Sequence, residues 1–93
     1  MALLTVQTVP KGDRPWVAIV DDDLFDRLSR WRWALSHAAQ PVPVRTLRLP
    51  NGRLTSTTLA RDVMGLLPGD PRRVVRVDRT GFDFRRANLR ISP

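Results

Sequence analysis

The sequence predicts an α+β domain, a small antiparallel sheet with two to three short helices. Three observations lead there. Short apolar runs recur with the two-residue alternation of half-buried strands. An Asn-Gly pair, Asn51-Gly52, separates two such runs and is the strongest short-range hairpin signal a sequence offers. Two further stretches, 21–31 and 59–67, repeat their apolar residues at helical spacing. With 93 residues the chain is expected to be one domain, 1–93, near the size at which a single core is only marginally stabilising. It contains no cysteine, so no disulfide or Cys-based zinc site is available to brace the fold.

Taken in order, residues 3–9 alternate weakly and run into Pro10-Lys11-Gly12-Asp13, a turn cluster. A first strand is therefore expected to hairpin onto residues 16–20, which are β-branched and apolar. Asp21-Asp22-Asp23 then opens a helix, where carboxylates cap free amides and suit the positive end of the macrodipole. Leu24, Phe25, Leu28 and Trp31 fall on its inner face. A metal reading of the three aspartates is set aside, because capping accounts for their place and the sequence holds no glutamate to complete a ligand set. Trp31, Trp33 and Leu35 alternate with Arg30, Arg32 and Ala34, a strand pattern with one apolar face, and the tryptophans are assigned to the core. His37 is the only histidine and has no role. Residues 44–49 and 53–58 form the hairpin. A second helix spans 59–67 with Thr57 or Thr58 as cap, Pro68-Gly69-Asp70-Pro71 ends it, and residues 74–77 return to strand.

The net charge of +7 is unevenly placed. Residues 1–44 balance five cations against five aspartates, whereas residues 45–93 set eleven arginines against Asp62, Asp70, Asp78 and Asp83. Arginine outnumbers lysine fifteen to one, and its planar fork suits bidentate phosphate and guanine contacts. A polyanion-facing surface is the expected consequence. Its candidates on the hairpin are Arg45, Arg48 and Arg53. Further along they are Arg72, Arg73, Arg76 and Arg79, then Arg85, Arg86 and Arg90.

Residues 77–93, V-D-R-T-G-F-D-F-R-R-A-N-L-R-I-S-P, resemble the ββα-metal core of phage-type HNH homing endonucleases. Asp78, Gly81, Asp83, Arg85, Arg86, Asn88, Leu89 and Arg90 follow the family's pattern in order. The likeness continues upstream, in residues 16–33 and in L-A-R-D-V-M-G at 59–65, so that it covers residues 16–92. It implies a ββα-metal-like C-terminal part, with a turn at Thr80-Gly81 and a short helix around 83–89. It also implies a small sheet packed with a helix in the manner of ethylene-response-factor DNA-binding domains, and hence contact with duplex DNA.

The same resemblance marks what has been lost. Arg79 stands where the family's catalytic histidine stands, Ala60 replaces a second histidine, and Phe84 replaces the Asn after the conserved Asp. The turn before Asp83 is short, and the sequence ends before the last metal ligand of the pattern. Asp78 and Arg79 are therefore vestigial, with no catalytic residue, no metal and no cofactor expected. Arg79 in the vacated metal position would neutralise a phosphate without hydrolysing it. Structural roles are expected for Asp83 as a helix cap, Asn88 on backbone and Leu89 in the core. The reading is a non-catalytic HNH-like DNA-binding protein, cytoplasmic and nucleoid-associated or in a phage-infected cell. The alternative is a small phage or bacterial protein-interaction or inhibitor module on the same scaffold. A secretory leader is not expected, since the first residues lack a basic segment and a long enough apolar run. A membrane span is not expected either, because no stretch approaches ~18 apolar residues.

Overall fold

The computed structural model describes residues 1–6, 16–36, 41–79 and 81–92. Strands β1 (Ala2–Val6) and β2 (Trp16–Val20) pair antiparallel, with Val6 opposite Trp16 and Ala2 opposite Val20. Their alternation sends Leu4, Val6, Ala18 and Val20 into the core. The turn expected at 10–13 and the single histidine, His37, lie outside the described residues.

Helix α1 (Asp22–Leu28) starts where the aspartates predict, but the Asp21 side chain makes no cap bond to it. Asp21 Oδ2 instead accepts from the Arg86 amide at 2.8 Å, sixty-five residues away. That amide belongs to the first residue of a 3-10 turn (Arg86–Asn88) and would otherwise lack a partner. One carboxylate thus serves a distant element rather than its own helix. Leu28 is buried, with Leu24 and Phe25 packed beside it. Trp31 is not on that face: the chain leaves the helix at Ser29, and Trp33 takes the core position, with its indole N–H donated to the Leu28 carbonyl at 2.9 Å. Trp16 and Trp31 are both nearly half exposed. The alternation at 30–35 yields only the two-residue strand β3 (Ala34–Leu35).

Strands β4 (Pro43–Arg48) and β5 (Leu54–Thr58) form the expected hairpin, and β3 pairs on the other edge of β4. The Gly52 amide bonds the Leu49 carbonyl at 2.9 Å, and Gly52 has φ +87°. Asn-Gly was placed here by the need for that left-handed residue. Helix α2 (Leu59–Val63) is capped by Thr58, whose Oγ1 accepts from the Arg61 amide at 3.3 Å. It stops short of the expected residue 67. Gly65 (φ +76°) receives the chain in the left-handed region while the Leu66 amide bonds the Arg61 carbonyl and the Gly65 amide the Asp62 carbonyl. This paired closure satisfies the last carbonyls and ends the helix before Pro68 can. Leu66, rather than the exposed Leu67, then enters the core.

The C-terminal stretch departs most from expectation. No α-helix forms over residues 83–89. Strand β6 (Arg73–Arg76) is followed by the single 3-10 turn at Arg86–Asn88 and then by β7 (Leu89–Ser92), which pairs back antiparallel with β6. The reason lies in Phe82-Asp83-Phe84, a two-residue alternation. Its backbone docks on the free edge of β2, with the Ile19 amide on the Phe82 carbonyl at 2.7 Å and the Phe84 amide on the Ile19 carbonyl at 2.8 Å. Phe84 is thereby sealed into the core, and extended backbone there precludes a helix start. Leu89 is core as expected. The Asn88 side chain ties backbone, donating to the carbonyls of Asp78 and Asp83 and accepting from the Asp78 amide at 2.9–3.0 Å.

The result is α+β, with three short antiparallel sheets among the described residues around one core. Among the described residues no helix is long and apolar enough to cross a membrane.

Candidate nucleic-acid interface

Residues directly opposite one another in an antiparallel pair share a face of the sheet. In the β3–β4–β5 sheet Arg45 faces Thr57 and Leu47 faces Thr55, while Thr46 faces Ser56 and Arg48 faces Leu54. The first set turns inward over α2. The second turns outward, and Thr46, Arg48, Leu54 and Ser56 are all exposed. Ala34 and Val44 extend this outer face across β3. A hollow of about 370 Å³ lies beside it, lined by Trp31, Arg32, Ala34, Val44, Arg45, Thr46 and Ser56. Among the described residues no carboxylate lines the hollow. Arg53 stands at the hairpin end of the same sheet.

The candidate arginines divide by what holds them. Arg45 is an interior group: its side chain is 14% exposed and its Nε donates to Asp62 Oδ2 at 2.9 Å, with Arg27 on the other carboxylate oxygen at 3.0 Å. Its guanidinium also lies 4.3 Å from the Trp31 ring centroid, which keeps the exposed indole in place. Arg72 is paired with Asp70, Arg85 with Asp83, and Arg86 with Asp23. Hydrogen bonds from Arg72 pull the Asp70 carboxyl down to about 2, and the Arg85 side chain holds Asp83 below the usual carboxylate range. Bonding to Asp23 correspondingly raises Arg86. Asp83 caps no helix; its Oδ1 accepts from the Arg85 amide two residues on. Arg90 donates to the carbonyls of Ala87 and Leu89. Among the described residues the guanidinium groups of Arg30, Arg32, Arg48, Arg53 and Arg73 make no hydrogen bond or ion pair.

Arg76 and Arg79 occupy a second site. They border a hollow of about 560 Å³ together with Trp16, Val17, Pro41, Gly81 and Phe82. Trp16 and Phe82 meet at 4.8 Å between centroids, and Phe84 meets Phe82 edge-on at 5.6 Å. Arg76 lies over Phe84 at 4.9 Å and donates to the Gly81 carbonyl. Its pKa is lowered, first by burial and then by the charge of Arg79, with Asp78 opposing.

The ten sequence candidates therefore do not gather on one surface. Arg48 and Arg53 share the sheet end, Arg76 and Arg79 share the aromatic hollow, and Arg45, Arg72, Arg85 and Arg86 are tied to aspartates. Sequence reasoning passed over Arg32, Thr46 and Ser56. Their signal was available, since the hairpin register that the Asn-Gly turn fixes puts Thr46 and Ser56 across from each other on the side opposite Arg45. No family model, curated protein or solved structure matches the chain.

Proposed function

We propose that this chain is a non-catalytic duplex-DNA-binding module that lays the outer face of β3–β4–β5 into the major groove. The observation that carries the reading is the character of that face: Arg32 and Arg48 on it, with Arg53 at the adjoining hairpin end, make no side-chain hydrogen bond or ion pair among the described residues, and Thr46 and Ser56 present exposed hydroxyls there. Strands enter the major groove in several DNA-binding folds. Arginine contacts phosphate and guanine edges, and Ser or Thr can serve any base. Arg48 and Arg53 at the hairpin end supply the phosphate grip, while Thr46 and Ser56 meet base edges. The paired arginines hold the scaffold that presents the face.

The HNH likeness belongs to this proposal as descent, and the chemistry at Asp78-Arg79 supports a module that binds without cutting. A guanidinium has no lone pair to accept a proton from water, and its fixed charge opposes a cation beside Asp78. The residues present do not fit a hydrolytic metal centre, because Leu89–Ser92, where the family pattern continues a helix, is a strand. Supercoiled plasmid incubated with magnesium or manganese is expected to remain un-nicked.

Fluorescence anisotropy on a labelled mixed-sequence duplex tests binding. Saturable association is expected at about 50 mM salt, with affinity falling steeply as salt rises through counterion release. Arg48→Ala with Arg53→Ala should flatten that salt slope by about two phosphate contacts. Absence of duplex binding at low salt would overturn the proposal. The protein-interaction alternative draws support from a different surface. The outward side of β6 exposes Val75, and Val77 beyond it is exposed as well. A stoichiometric protein partner that survives nuclease treatment would favour it.

A further inference from the structure

We infer that the edge of β4 left open beyond the end of β3 is a docking site for an extended acidic peptide, which adds as a strand beside residues 46–48. This ligand class is distinct from the duplex proposed above, and the inference does not rest on that reading.

The edge is open because β3 ends early. Its register with β4, Ala34 opposite Val44, would bring Arg32 opposite Thr46. The chain turns away there instead, since the Trp31 amide bonds the Leu28 carbonyl at 3.2 Å and the Trp33 indole N–H donates to the same carbonyl at 2.9 Å. What is left behind follows from the hydrogen-bond parity of β4. The Ser36 amide bonds the Val42 carbonyl on the β3 side, and the Leu49 amide bonds the Arg53 carbonyl on the β5 side. Bonded and non-bonded pairs alternate along an antiparallel strand. Val44, Thr46 and Arg48 therefore direct their N–H and C=O groups toward the β3 side, and Arg45 and Leu47 toward β5. Only Val44 is met by β3. Among the described residues the backbone groups of Thr46 and Arg48 make no hydrogen bond. Two donors and two acceptors thus stand along the edge, and the hollow lined by Trp31, Arg32 and Thr46 gives room beside them.

Three features select the occupant. An extended peptide supplies both carbonyls and amides, the pairing that an exposed sheet edge favours, whereas a phosphate would answer the amides alone. Residues opposite Thr46 and Arg48 share the outer face with them. Arg32 and Arg48 are exposed and make no side-chain hydrogen bond or ion pair among the described residues, so acidic side chains suit those two positions. The residue between them, opposite Leu47, falls on the side of Arg45, whose guanidinium holds the half-exposed Trp31 ring at 4.3 Å. An apolar side chain packs there. The ligand pattern is therefore acidic, apolar, acidic in extended form. A second copy of the chain fits poorly, because pairing β4 with β4 brings two Arg48 edges together on chains of net charge +7.

The test titrates the full chain with a fluorescein-labelled, end-blocked hexapeptide of alternating aspartate and valine, read by anisotropy and by amide hydrogen exchange at low salt. Saturable binding is expected, with slowed exchange at the amides of Thr46 and Arg48. Methylating the aspartate backbone nitrogens keeps the charge but removes the donors that face β4, and should weaken binding about tenfold through two lost hydrogen bonds. Thr46→Pro deletes an N–H that the β4–β5 ladder does not use and should weaken binding with an unchanged circular dichroism spectrum; the methylated peptide is read on the parent chain and needs no variant. Arg48→Glu should weaken the aspartate peptide about fivefold or more and favour a lysine peptide of the same pattern. Duplex binding without peptide binding overturns this inference and leaves the sheet-face reading standing; peptide binding without duplex binding does the reverse. Equal binding of the methylated and unmethylated peptides overturns strand addition. So does equal binding of the aspartate and lysine peptides by the parent chain, or unchanged exchange at Thr46 and Arg48.

Discussion

Arg45 and Arg48 lie three residues apart on one strand and do opposite things. Arg45 points inward, is locked to Asp62 and supports Trp31. Arg48 points outward and has no ion pair among the described residues. The difference comes from strand parity, since successive side chains face opposite sides of a sheet. Residue type alone therefore says little about function in this chain. On this strand an arginine is a fold element at the inward position near an aspartate and a solvent-facing group at the outward one.

Several measurements would break or sharpen that contrast. The largest effect is expected from Arg45→Ala. It leaves the Asp62 side chain, 8% exposed, with the half-exposed Arg27 as its remaining ion-pair partner, and should cost about 2–3 kcal/mol in urea unfolding, below the full cost of breaking a buried pair. Arg48→Ala should change stability by less than about 0.5 kcal/mol while weakening duplex binding by about 1 kcal/mol or more, as loss of a phosphate or guanine contact does. Equal stability losses for the two variants would contradict the parity argument.

Next in size is Thr57→Val, on the inward face opposite Arg45. Among the described residues the buried Thr57 hydroxyl has no hydrogen-bond partner, so replacing it with a methyl should raise stability by about 1 kcal/mol. Arg86→Ala removes an exposed pair with Asp23, and only a small loss of stability is expected from a solvent-screened contact. The Asp21 bond to the residue 86 amide survives that change, which makes Asp21→Ala the more damaging member of the two.

The smallest effect concerns acid. Asp70 and Asp83 have folded-state pKa values below their ordinary ones. Their contribution is thus complete above about pH 4, the unfolded value, and is lost as pH falls through the folded-state values, of which that for Asp70 lies at about 2. An acid titration of Asp70→Asn should show a shallower decline than the parent over that window. The amide retains the Oδ1 acceptor for the Arg72 backbone N–H, so the turn itself is preserved.

Legibility followed the range of the interaction. The β4–β5 hairpin was visible because Asn51-Gly52 fixes a local geometry, and the Thr58 cap and the start of α2 were visible for the same reason. The end of α2 was missed although Gly65 stood in the sequence, because Pro68 offered a louder stop and the left-handed closure needs only one glycine. The C-terminal segment was misread as a helix: arginine-rich and similar to a known motif, it also carried the alternating Phe82-Asp83-Phe84. Nothing local decides between those signals. The free edge of β2, some sixty residues away in sequence, decided in favour of extended chain by offering two backbone bonds and a core position for Phe84.

The amino-acid order by itself determined the class of fold, the hairpin, the strand pairing of the N-terminal segment and the excess of positive charge, since each depends on period, turn residues or composition. Which arginines face solvent, which aspartates they hold and where Trp16 meets Phe82 were decided only by tertiary structure. Those outcomes depend on strand register and on contacts between residues far apart in the chain, and a guanidinium takes whichever carboxylate, ring or carbonyl the packed elements bring within reach.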